Sequence, residues 1–139
     1  MGGIRSYRDL RAWQAGMDLL LEVYRLSTGF PPDERFGLRA QIRRAVVSVP
    51  SNIAEGHGRS TKADFLHFLD VALGSLNETE TQLLAAVGLG YLDEESLAAA
   101  FDISSRVRGL TKGLSASLRR SRTANVRPDS QPPSKPGHA

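Results

Sequence analysis

Between residues 10 and 118 apolar side chains recur every three to four positions in four runs, separated by short segments rich in glycine, proline and aspartate. That interval matches the 3.6-residue turn of an α-helix and places each run on one helical face. The first run, Leu10, Trp13, Met17, Leu20 and Tyr24, predicts a helix closing near Gly29 in the left-handed conformation, with Pro31 and Pro32 preventing its continuation. Asp33 is the expected N-cap of the second helix, with Glu34 beside it at the positive end of the dipole. The second stripe runs Leu38, Ile42, Ala45, Val49 and Ile53, with Val46 alongside, so Pro50 falls inside the pattern. Proline removes one backbone hydrogen bond and crowds the carbonyl four residues earlier, which predicts a kink rather than a break.

Thr61 and Asp64 have the spacing of a capping box and open the third helix, whose stripe is Phe65, Leu69, Ala72, Leu76, Thr79, Leu83 and Val87. Gly88 or Gly90 ends it. Asp93 caps the fourth helix, Glu94 and Glu95 favour its first turn, and Leu92 can pack on Leu97 as a staple. Its stripe is Ala100, Ile103, Val107, Leu110, Leu114 and Leu118. Four amphipathic helices with short connections and no strand pattern predict an all-α, antiparallel up-down-up-down four-helix bundle with a kinked second helix. The organisation expected is a flexible N-terminus over 1–6, the bundle over 7–118, and a disordered basic Pro/Ser-rich tail over 119–139.

A length of 139 residues suits a single hydrophobic core, and the absence of cysteine excludes disulfides and thiolate metal sites. No apolar stretch is long enough for a membrane span, and charged residues interrupt the first 23 positions too often for a secretory signal. The net charge of +3 is unevenly placed. From Arg119 onward five cations face Asp129 alone, a net +4, which leaves 13 cations against 14 carboxylates, a net −1, for the rest. Attraction of the folded body to polyanions must therefore come from local clustering.

Reaction chemistry is weakly signalled. His57, His67 and His138 lack metal-site spacing, so neither metal nor cofactor is expected. The segment Gly56-His57-Gly58-Arg59-Ser60-Thr61-Lys62 joins two helices and lacks the order of a nucleotide-binding P-loop, although Arg59, Lys62 and free N–H groups converge there as an anion site. Glu78 and Glu80, with Asn52 and Glu55, lie near the apolar stripes and read as polar contacts between helices two and three rather than as an acid/base pair. Arg35, Arg39 and Arg43 form a row beside the second stripe, with Arg44 turned away. That row can track a phosphate backbone, meet another subunit, or face solvent.

Several separated motifs agree in order with one family. Asp9-Leu10, Trp13-Gln14-Ala15, Phe30-Pro31, Gln41-Ile42-Arg43-Arg44-Ala45, the string Ser48 to Gly56, Arg59, Phe65, Phe68-Leu69, Gly74-Ser75 and Glu78 resemble the proteins encoded in 23S ribosomal RNA intervening sequences. The resemblance spans about Tyr7 to Leu118. It implies a small bacterial, cytoplasmic, non-enzymatic protein that assembles as a ring-like homopentamer of four-helix bundles. A more distant likeness is to the accessory variability determinant proteins of diversity-generating retroelements, which implies a reverse transcriptase and nucleic acid as partners. RNA or DNA is accordingly the expected ligand, contacted by Arg35, Arg39, Arg43, Arg44, Arg59, Lys62, Arg119, Arg120 and Arg122. Trp13, Ser48, Pro50, Asn52, Glu55, Gly56, Ser75 and Glu78 hold the family's signature positions and are expected to serve packing within and between subunits.

Overall fold

The computed structural model describes residues 3–121, which form α1 (Arg11–Ser27), α2 (Leu38–His57), α3 (Lys62–Gly88) and α4 (Glu94–Arg120), with single 3-10 turns at Tyr7–Asp9 and Pro32–Glu34. Paired contacts fix the directions. Arg43 reaches Tyr24 and Ser27 while Gly16 lies against Pro50, so α1 and α2 run oppositely. Ser48 meets Ser75 and Gly56 meets Phe65, reversing α3 against α2; Glu80 meets Ser104 and Lys62 meets Ser121, reversing α4 against α3. Asp18 pairs with Arg106 across α1 and α4 and closes the ring of four helices.

The core is aliphatic. Leu19, Val23, Ile42, Val46, Ile53, Leu69, Leu76, Leu83 and Val107 are at most 1% exposed, and burying each such side chain contributes roughly 1.5–3 kcal/mol. The buried line of α1 is nevertheless Ala12, Ala15, Gly16, Leu19, Val23 and Leu26, one step round from the expected stripe, and Trp13, Met17 and Leu20 are only half-buried beside it. On α4 the deepest line alternates Ala100 and Val107 with Ser104, Thr111 and Ser115, while Ile103, Leu110 and Leu114 flank it. Small residues permit the closest approach of neighbouring helices, so they occupy the centre of the contact and the larger apolar groups fill its sides.

The ends correct the expected caps. Asp33 does not open α2; it sits in the 3-10 turn, and the carboxylate of Glu34 accepts the N–H of Leu38 at 2.7 Å in its place. The cause is Gly37, whose extended backbone (φ −104°, ψ −116°) separates the turn from the helix. Gly29 is not left-handed: Gly29 and Phe30 close α1 by donating to Leu26 and Ser27, and among the described residues only Gly90 has positive φ, at 83°, just past α3. Thr61 accepts from Asp64 and Asp93 from Ser96, as the spacing predicts. α2 continues through Pro50. α4 extends to Arg120, so Arg119 and Arg120, expected in the tail, are helical; the tail from Arg122 lies outside the described residues.

Glu34 also joins the two crossings at its end of the bundle, because Tyr91 donates its hydroxyl to the other carboxylate oxygen at 2.8 Å. The Leu38 N–H, and then the Tyr91 hydroxyl, hold this carboxyl below the usual carboxylate range. A depressed folded-state pKa contributes stability that is present above the unfolded value and disappears as pH falls through the folded one. Glu34→Gln should therefore lower Tm at pH 7, and the gap from wild type should shrink as the solution is acidified below pH ~4. A pH-independent gap would show that the carboxylate charge plays no part.

Candidate nucleic-acid interface

The antiparallel order gathers the start of α1, the α2–α3 turn and the end of α4 at one end of the bundle. Residues 3–14, 55–68 and 114–121 carry seven cations against three carboxylates, a net +4. The opposite end, residues 22–39 and 84–102, carries three cations against seven carboxylates, a net −4. The bundle is thus electrically polar along its axis, and its basic end is where a polyanion would be drawn.

The expected arginine row divides on inspection. Arg43 donates Nε to the Ser27 hydroxyl at 2.8 Å and Nη2 to the Tyr24 carbonyl and the Thr28 hydroxyl, each at 3.2 Å, with its guanidinium 4.5 Å from the Tyr24 ring centroid. It caps the carbonyl end of α1, where helical partners run out and positive charge is favoured. Arg39 donates to the Phe30 carbonyl at 2.8 Å and is half-buried. These two side chains hold the α1–α2 junction and are not available as a phosphate track. Arg35 is exposed and stacks on Phe36, itself 84% exposed, at the acidic end. Arg44 is exposed in an open hollow of about 480 Å³ with Gln41, Ala45, Ser48 and Glu78.

At the basic end Arg59 pairs with Glu55 at 2.8 Å and lies over the Phe68 ring at 4.8 Å, both on the surface. Lys62 donates to the carbonyl of Ser121 at 2.7 Å, tying the start of α3 to the end of α4. The expected anion site at the α2–α3 turn is therefore partly occupied by the chain's own groups: the Asp64 N–H is taken by Thr61 and Lys62 by Ser121. Arg119 and Arg120 are exposed in the last turn of α4. Arg5, Arg8 and Arg11, which the sequence reading passed over, are exposed at the same end. Summing charge end by end, once the helices are set antiparallel, would have found them.

The family model for the 23S rRNA-intervening sequence protein matches residues 8–113. The chain belongs to this family. Among solved structures, this 23S rRNA-intervening sequence protein is similar to a protein of unknown function from the S23 ribosomal protein family of Bacteroides thetaiotaomicron, at 23% identity and a TM-score of 0.69, over 74% of this chain and 96% of that one. That likeness establishes the shared helical fold. No curated protein matches.

The signature residues of this 23S rRNA-intervening sequence protein fall into contacts between helices. Ser48 and Ser75 share a hydrogen bond of 2.7 Å, and Asn52 donates to the Ser48 carbonyl and hydroxyl, each at 2.7 Å, so the trio satisfies polar groups where α2 crosses α3. Gly56 is buried where a Cβ would stand 2.9 Å from both Phe65 and Phe68, too close for any side chain without movement. Pro50 is buried against Gly16. Trp13 stacks edge-on with Tyr7 at 5.3 Å and, with Met17, Leu20, Pro50, Ala54 and Glu55, lines an open hollow of about 450 Å³ between α1 and α2. Glu55 and Glu78 thus line different hollows, and Glu80 is engaged by Ser104 and by Arg108 at 2.8 Å. The structure does not bring the carboxylates together as an acid/base pair.

Proposed function

We propose that the protein is a non-enzymatic homo-oligomeric adaptor that binds RNA or DNA by phosphate contacts at the basic end of its bundle. The observation that carries this reading is the segregation of charge along the bundle axis, +4 against −4, in a folded body whose total is close to neutral. Arg59, Arg119 and Arg120, with Arg5, Arg8 and Arg11, are the contacting side chains. Lys62 contributes its remaining protons, and Arg122 follows from the helix end. The family name places relatives beside ribosomal RNA, which is consistent with such a ligand without defining it. Filter binding of RNA and DNA across a salt series tests it, and salt-insensitive or undetectable binding would overturn it.

Self-association is supported by the apolar flank of α1. Trp13, Met17 and Leu20 are half-buried, Leu21 is 62% exposed and Val47 37%, all along the α1–α2 face. A second copy would cover this strip, and the resemblance suggests five copies in a ring. Leu21→Glu combined with Val47→Glu should reduce the solution mass to that of the 15.1 kDa monomer, measured by light scattering. An unchanged mass would place the contact elsewhere.

A second reading, an interaction scaffold for another protein such as a reverse transcriptase, is favoured by the hollow that holds Arg44 beside Glu78. No ion pair or hydrogen bond within the chain was found to engage either charge, which suits them to a partner surface. Under that reading Arg44→Glu changes complex formation with the protein partner while nucleic-acid affinity stays constant.

A further inference from the structure

The groove between α1 and α4 at the basic end plays no part in the functions proposed above. It consists of two hollows. One, of about 430 Å³, is walled by Ile4, Leu10, Leu110 and Leu114 over Gly109 and Gly113. The other, of about 330 Å³, holds Arg11, Gln14, Asp18 and Arg106. Both are bounded by Arg11 and Leu110, so they form one continuous channel, apolar toward the end of the bundle and cationic further along. Its floor is open: a Cβ built on Gly109 or Gly113 meets nothing within 4 Å. The occupant it calls for is an extended peptide with one apolar side chain followed, a few residues on, by a carboxylate.

We propose that this groove takes residues 124–129 of the chain's own C-terminal segment, which lies outside the described residues, with Val126 in the apolar hollow and Asp129 between Arg11 and Arg106. Length and composition both support this occupant. α4 ends at Ser121, and at 1.5 Å per residue the centre of the apolar hollow lies ~15 Å back along the helix and Arg106 ~22 Å back. An extended strand leaving Ser121 at ~3.3 Å per residue reaches ~16 Å at Val126 and ~26 Å at Asp129. Val126 is the only valine, leucine, isoleucine, methionine or aromatic residue after Leu118, and Asp129 the only carboxylate side chain after Asp102. The chemical order along the segment therefore matches the order along the groove. Because the segment is tethered at the mouth of the groove, its local concentration is on the order of millimolar and a weak intrinsic affinity suffices.

The natural absence of cysteine makes the test direct. In the full-length chain, Gly113→Cys with Val126→Cys is compared with Gly113→Cys and Lys135→Cys under the same mild oxidant, and cross-linked peptides are identified by mass spectrometry. Seating in the stated register predicts that the 113–126 link forms within one chain at least ten-fold faster than the 113–135 link, and that adding Asp129→Lys removes most of that advantage. Equal rates would overturn the proposal by showing a tethered segment with no seat. Predominant links between position 113 of two different copies would also overturn it, because a second copy would then cover the groove. A variant that fails to fold is recognised by its lost helical circular dichroism, and Val126→Asp then supplies the answer. Displaced methyl resonances of Leu110 and Leu114 support the seating, and unmoved ones overturn it. Neither readout involves nucleic acid, so the result is independent of the function proposed above.

Discussion

Reversing Arg59, Arg119 and Arg120 to glutamate should weaken RNA or DNA binding by about two to three orders of magnitude at 0.1 M salt. Each phosphate contact contributes ~0.7–0.9 to the log–log salt slope, so losing three lowers the slope by about 2 to 3 and forfeits that many decades relative to 1 M salt. All three side chains are on the surface, and Arg119 and Arg120 sit at a helix terminus, so the helical content should be nearly unchanged. The matched control is Arg35→Glu, at the acidic end, which should leave the slope as it was. If both sets of reversals reduce binding equally, the basic end has no special role and the interaction is a property of overall charge.

Arg43→Ala is expected to act on stability instead. Its guanidinium makes three hydrogen bonds to the end of α1 and lies over Tyr24. Hydrogen bonds from a charged group contribute roughly 1.5–3 kcal/mol and a surface cation–π contact about 0.5–1 kcal/mol, and part of this overlaps, so a loss of about 2–4 kcal/mol is expected. Urea denaturation should show a lower midpoint with an unchanged slope. Arg43→Lys should recover only part of it, because one ammonium cannot reproduce the fork that spans Ser27, Thr28 and the Tyr24 carbonyl. A midpoint shift no larger than that of Arg35→Ala would refute the capping role.

These two experiments separate residues that the sequence groups together. Periodicity placed Arg35, Arg39 and Arg43 on one face of α2, and they do share it. What periodicity does not contain is the position of the α1 carbonyl terminus, which the antiparallel packing brings to Arg43 from 15 to 19 residues away. The four helices, the Thr61 and Asp93 caps and the turn at Gly90 were legible because each depends on neighbours in sequence. The start of α2 was not, since Asp33 and Glu34 are both plausible caps and the choice was made by Gly37 and by Tyr91 from another loop. The buried lines of α1 and α4 were misplaced for a related reason. Ala12, Ala15 and Gly16, or Ser104, Thr111 and Ser115, carry little hydropathy, yet their small size lets helices approach closely. The candidate interface was half legible: Arg59, Arg119 and Arg120 stood out, whereas Arg5, Arg8 and Arg11 join them only after folding.

Gly16 and Pro50 lie on different helices, and a Cβ at position 16 would stand 3.4 Å from that of the proline. The pyrrolidine ring can occupy a helix interior here because the facing backbone carries no bulk of its own. The two positions are therefore expected to vary as a unit during divergence: a larger residue at 16 would be accepted where 50 has become smaller, and a drift in either alone would force the first two helices apart.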